Sequence, residues 1–99
     1  MDILTKVQYQ LRPWQQHNFP DRPAWQPLVG MMEELGELSH SFLKSAQNIR
    51  MNENHEAKAK DAIGDILVYL CDFCNSMGWE ATSILDQVWS EVSQRDWRK

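Results

Sequence analysis

Apolar residues recur along this chain at intervals of three and four, and no stretch alternates as a strand would. Ile3, Leu4, Val7 and Leu11 share one face of a first helix, from about Ile3 to about Gln16, which Pro13 kinks or ends. Asn18-Phe19-Pro20-Asp21-Arg22-Pro23 is a connector dense in turn-forming residues. Asp21 is placed to cap the next helix, with Pro23 in its first turn. Leu28, Met31, Leu35, Leu38, Phe42, Ala46 and Ile49 then form one continuous stripe, which predicts a second helix from about Ala24 to about Met51. Asn52-Glu53-Asn54 is the break. A third helix follows from about Glu56 to about Ser76, with Ile63, Ile66, Leu67, Leu70, Cys74 and Met77 on one face and Gly78 as its C′ residue. A fourth runs from about Glu80 to Trp97, turning Ile84, Leu85, Val88 and Val92 inward. There is no internal repeat or low-complexity segment. The expectation is an all-α fold: four helices, antiparallel neighbours and short loops in a single domain spanning 1–99.

The polar positions carry the chemistry. Glu33-Glu34-Leu35-Gly36-Glu37 on the second helix and Asp61-Ala62-Ile63-Gly64-Asp65 on the third are two short acidic clusters. Helical spacing gathers each onto one face. Glu33, Glu37, His40 and Lys44 form one row, flanked by Glu34 and Ser41; Asp61, Asp65, Val68 and Asp72 form the other, with Asn75 just beyond. Rows opposite an apolar stripe are ordinarily solvated. Here, however, residues 61–75 contain no Lys or Arg, Val68 interrupts the acidic row, and Glu33 and Glu37 repel each other at i,i+4 unless a cation lies between them. Two such faces opposed across helices make a cage of carboxylate oxygens, the donor set that Mg²⁺ or Mn²⁺ prefers.

Length and charge narrow the possibilities. At 99 residues the chain buries only roughly two-thirds of its unfolded surface, so a helical core of this size is often completed by a second copy. Apolar residues make up 42%, including five tryptophans, enough for a core. The net charge is −4 and there is no basic patch, which argues against a nucleic-acid polymer as partner. The apolar run Ile66–Cys71 is too short to cross a membrane, and the start shows no signal-peptide pattern, so the expected location is cytoplasmic. Cys71 and Cys74 form a lone CxxC, read as two reduced, partly buried thiols rather than as a zinc or redox site.

The two acidic clusters resemble those of a known family. Glu33-Glu34-Leu35-Gly36-Glu37 matches the EExxE motif of the MazG-like, all-α nucleoside triphosphate pyrophosphohydrolases, and Asp61-Ala62-Ile63-Gly64-Asp65-Ile66-Leu67-Val68-Tyr69-Leu70 looks like their second motif, ExxD followed by an apolar helix. The resemblance runs from about Trp25 to Gly78, and the segment Gln94-Arg95-Asp96-Trp97 looks like the end of small MazG-like proteins. It implies hydrolysis of a (deoxy)nucleoside triphosphate between its α and β phosphates, releasing the monophosphate and pyrophosphate as house-cleaning of the nucleotide pool. It also implies a homodimer or homotetramer. Glu34, Glu37 and Asp65 match the family's metal positions. Where the family places Glu, three residues before its Asp, this chain has Ala62; Asp61, on the same face, becomes the fourth ligand. Glu33 is an outer ligand or orients the attacking water.

Around these groups, Lys44 is the leading candidate to reach a phosphate, with Arg50, Lys58, Lys60 and Arg95 behind it. Asp72 and Asn75 extend toward the sugar and base, and Trp14, His17 and Trp25 are candidates to hold the base. Trp79, Trp89 and Trp97 read as core or subunit interface. Two rivals stand beside the enzyme reading. Glu37-Leu38-Ser39-His40 is an ExxH of the kind di-iron bundles use, but no second one follows. The other rival, supported by Ala62, is a non-catalytic helical module that binds nucleotide or regulates.

Overall fold

The computed structural model describes residues 1–98, and among them it contains four α-helices and no strand: α1 (Ile3–Asn18), α2 (Trp25–Ala46), α3 (His55–Met77) and α4 (Ala81–Val92). None is long and apolar enough to cross a membrane.

Asp2 starts α1 by accepting the Thr5 backbone N–H at 3.0 Å. Its carboxylate also takes the Thr82 hydroxyl at 2.6 Å, which ties α1 to α4. These bonds, the Thr82 one first, hold the Asp2 carboxyl well below the usual carboxylate range. Pro13 does not end α1. It removes one backbone donor, but the helix continues to Asn18 because Gln15, beyond the proline, is fastened to α3. α2 starts without the cap expected from Asp21: Ala24 precedes it with no side-chain bond, Pro23 lies outside, and Pro27 occupies the first turn, where no backbone donor is needed.

α2 also ends earlier than the apolar stripe suggested. Asn48 adopts the left-handed conformation (φ 56°), and the N–H groups of Asn48 and Ile49 fold back onto Ser45 and Lys44 at 3.2 and 3.0 Å. That turn stops the helix although Ile49 continues its periodicity. α3 begins as expected after the break, with Asn54 accepting the Ala57 N–H at 2.9 Å. It closes in the same kind of turn: Gly78 is left-handed (φ 72°), and Trp79 N–H reaches the Cys74 carbonyl at 2.8 Å. α4 stops at Val92 rather than Trp97. Beyond it the chain turns, Trp97 is 80% exposed, and Asp96 accepts locally from the Arg98 N–H at 3.0 Å.

α3 is the hub. α2 packs against α3 alone, while α1 packs on α3 and α4. One chain therefore does not close into a four-helix bundle. Its radius of gyration is 16.5 Å, against about 13 Å for a compact domain of about 100 residues. The expected inward stripe of α2 is largely outward: Leu28, Leu35 and Phe42 are exposed, Phe42 by 74%. On α3, Ile63, Leu67 and Met77 are exposed as well, as are Ile84, Leu85 and Val88 on α4. The covered positions of α2 are instead Pro27, Gly30, Met31, Glu34, Leu38 and Ser41, and α3 answers with Ala62, Asp65, Ile66 and Tyr69. Small residues decide this: Gly30, Ser41 and Ala62 let the two helices approach on the face that carries the acids.

A buried polar network joins the other elements. Asp72, only 2% exposed, receives both Arg22 from the connector and Gln15 from α1. Asn75 donates to Gln15 Oε1 and to the Gln8 carbonyl at 2.9 and 2.8 Å. The buried Gln8 amide donates to Asn75 and to the Trp79 carbonyl, and accepts the Ala81 N–H that opens α4.

At Gly30 α2 comes close to α3: a Cβ there would lie 2.6 Å from the Tyr69 ring. Gly30→Ala should lower unfolding free energy by about 1–3 kcal/mol in urea titrations. Adding Tyr69→Ala should recover part of that loss relative to Tyr69→Ala alone.

Candidate functional site

Glu34 and Asp65 lie half-buried where α2 and α3 run side by side, and Glu37 and Asp61, both exposed, are near enough to act on Glu34. Glu34 is half-buried on the face toward α3, and its Oε2 is enclosed with no hydrogen-bond partner. Burial chiefly, followed by the negative fields of Glu37 and Asp65, a side-chain hydrogen bond shared with Glu37 and the field of Asp61, pushes its carboxyl above the ordinary value of 4.5. The residues that act on Glu34 are thus the acids of both helices, with no cation among them. Among the described residues no three Asp, Glu, His or Cys side chains already converge as a metal-ligand set. The donor chemistry nonetheless fits a hard divalent cation: oxygen ligands only, one stranded and enclosed, the others repelling it.

Beside this cluster lies a groove of about 680 Å³ lined by Glu33, Gly36, Glu37, His40, Ser41, Lys58 and Asp61. It is acidic at Glu33, Glu37 and Asp61 and carries the Lys58 ammonium and the His40 ring besides. Glu33 also borders a second hollow of about 350 Å³ with Phe19, Arg22, Trp25, Gly30 and Tyr69. Arg22 lies over the Phe19 ring at 4.8 Å. That hollow presents flat apolar rings, a guanidinium and the Glu33 carboxylate.

Trp25 lines this second hollow. Trp14 packs edge-on against Phe19, with centroids 5.8 Å apart, and is exposed; it lines neither cavity. His17 is exposed in the last turn of α1 and also lines neither. Lys44 is half-buried in the last turn of α2, outside the groove, whereas Lys58 lines it. Asp72 and Asn75 have their polar groups occupied within the chain, by Arg22 and Gln15 and by Gln8 and Gln15. Arg22 and Tyr69 went unnoticed in the sequence. Arg22 lies between two prolines, outside any periodic pattern, whereas Tyr69 follows Asp65 by one helical turn and was open to detection by that spacing. Cys71 and Cys74 are free and buried, and burial pushes both thiols up, away from the thiolate that metal or redox chemistry uses.

No protein-family model matches the chain, and no curated protein and no solved structure matches it.

The raised Glu34 carboxyl links stability to pH. The folded chain binds this proton more tightly than the unfolded chain does. The resulting stabilisation is complete below the unfolded value and is lost as pH rises through the folded one. Without metal, Glu34→Gln should therefore melt at the wild-type temperature at about pH 4 and above it at about pH 8. Added Mg²⁺ should raise the wild-type midpoint at the higher pH and leave the variant's unchanged, as scanning calorimetry would show.

Proposed function

We propose that this chain is a metal-dependent, MazG-like pyrophosphohydrolase that cuts (deoxy)nucleoside triphosphates to the monophosphate and pyrophosphate, serving to clear non-standard or surplus nucleotides. The observation that carries the reading is the stranded Glu34 oxygen among Glu37, Asp61 and Asp65, beside a groove that also offers Lys58 and His40. Glu34, Glu37, Asp65 and Asp61 are the residues that would hold Mg²⁺ or Mn²⁺. When bound, the metal supplies charge neutralisation of the triphosphate and an activated water.

The chain's own groups do the rest. Glu33, on the border of both cavities, is placed to orient the attacking water and accept its proton. Lys58 and His40 hold the phosphates that leave. Trp25, Phe19 and Tyr69 offer ring faces to the base and sugar, and Arg22 and Glu33 offer hydrogen-bond edges. Arg22 is already fixed by Asp72, so this edge is rigid before a base arrives. A homodimer or homotetramer belongs to the same reading. The outward apolar residues of α2, α3 and α4 form the kind of surface that a second copy covers.

Ala62 favours a second reading, a module that binds nucleotide without turnover. It is buried between the helices where the family's motif places a carboxylate, and Asp61, on the groove, is the only substitute beside it.

With Mg²⁺ and a panel of canonical and damaged (d)NTPs, the enzyme reading expects monophosphate and pyrophosphate as separated products. Glu37→Gln and Asp65→Asn should each reduce pyrophosphate release to background with unchanged circular dichroism. Nucleotide binding by calorimetry without turnover, in a folded protein, would select the module instead. In sedimentation the chain should run as a multiple of its own mass, and Phe42→Glu should shift it to the monomer.

A further inference from the structure

We infer that Glu53 is a built-in competitor for the groove's phosphate-holding lysine, an internal anion that the substrate's terminal phosphate displaces and that returns to expel pyrophosphate. This rests on the pyrophosphohydrolase reading and adds to it a residue that no acidic motif contains. Among the described residues lining the groove, Lys58 is the one Lys or Arg. Its ammonium is not free: Nζ donates to Glu53 Oε2 at 2.9 Å. The other lysine–glutamate pair of α3, Lys60–Glu56 at 3.1 Å, is an ordinary i,i+4 surface pair with both side chains more than 70% exposed. The Glu53–Lys58 pair is more enclosed, and it joins a loop to the groove wall.

The loop is built to hold that carboxylate there. His55 Nε2 pairs with the Ile49 carbonyl at 3.0 Å, Glu53 N–H reaches the Arg50 carbonyl at 3.0 Å, and Asn54, the next residue, caps α3. Asn48 is left-handed as the residue that ends α2, and Arg50 is left-handed as well, a conformation that a non-glycine, non-asparagine residue seldom adopts. Besides Lys58, Arg50 and His55 act on Glu53 with positive field, and together they hold its carboxyl below the ordinary range.

The consequence follows from charge. Without metal, one part of the groove repels phosphate through Glu33, Glu37 and Asp61, and its lysine is already neutralised. An anion with a single charge gains little by displacing Glu53. Pyrophosphate or a triphosphate tail, anchored through metal at the acids, presents several charges to Lys58 and wins the exchange. After cleavage the anchored tail becomes a separate ion, and Glu53, tethered beside Lys58 at high effective concentration, competes for the site.

The test uses inorganic pyrophosphate in Mg²⁺, titrated calorimetrically into the wild type, Glu53→Gln, Lys58→Met, the double variant and Glu37→Gln. Expected is a tightening of about two- to fivefold in Glu53→Gln, the scale of a partly exposed ion pair. Lys58→Met should weaken binding about tenfold, and in that background Glu53→Gln should have no further effect. An unchanged or weaker affinity in a normally melting Glu53→Gln, or additive effects in the double variant, would overturn the exchange. If Glu37→Gln still abolishes binding in that case, the metal-site reading stands. Pyrophosphate binding that ignores Glu37→Gln, or none to the wild type, would overturn both.

Discussion

The Asp72 carboxylate fastens the connector and the end of α1 to α3. It is nearly inaccessible, and an unpaired charge so placed would be strongly destabilising. Arg22 and Gln15 remove that penalty, and each brings a different piece of chain: the connector before α2 and the last turns of α1. Asn75, one turn further along α3, extends the arrangement through Gln15 and Gln8 to the start of α4. With few fully buried apolar side chains in the chain, this polar lattice rather than an oil-like core sets where α1, the connector and α4 lie. The same Arg22 guanidinium that pairs with Asp72 also lines the ring-walled hollow.

The hairpin follows a different rule. Its two helices meet on small and acidic residues, which brings Glu34 and Asp65 into the seam and leaves leucines, isoleucines and Phe42 outside. For an isolated chain that is an inverted arrangement, with charge repulsion inside and apolar surface in water. Under the proposed function both halves would be relieved by binding, a cation at the acids and a second copy over the stripe, each adding to the stability of the isolated chain.

Much of this was legible from residue order. The helices were marked by Gly78, by the Asn52-Glu53-Asn54 break and by the proline-rich connector, since each acts locally on the backbone. Where α2 ends was not legible, because Asn48 stops it by adopting a left-handed conformation that its periodic context hides. Spacing placed Glu34, Glu37, Asp61 and Asp65 on compatible faces; in the structure Glu34 and Asp65 are half-buried in the α2–α3 seam while Glu37 and Asp61 are exposed on the groove. Periodicity could not say which face meets the neighbouring helix: an apolar stripe records that something covers it, not what. Arg22, Gln8 and Gln15 were invisible because their partners are 50 or more residues away.

α4 has no cap of its own. Glu80 precedes it without a side-chain bond, and its first N–H is satisfied by Gln8 from a position 73 residues earlier. Twelve residues are too few to hold a helix by themselves in water. The order of assembly is thereby constrained: the α2–α3 hairpin can form from contacts close in sequence, α1 must then dock on α3, and only then does α4 find the acceptor that starts it. α4 therefore waits for α1, and until the two meet its unformed backbone is open to proteases.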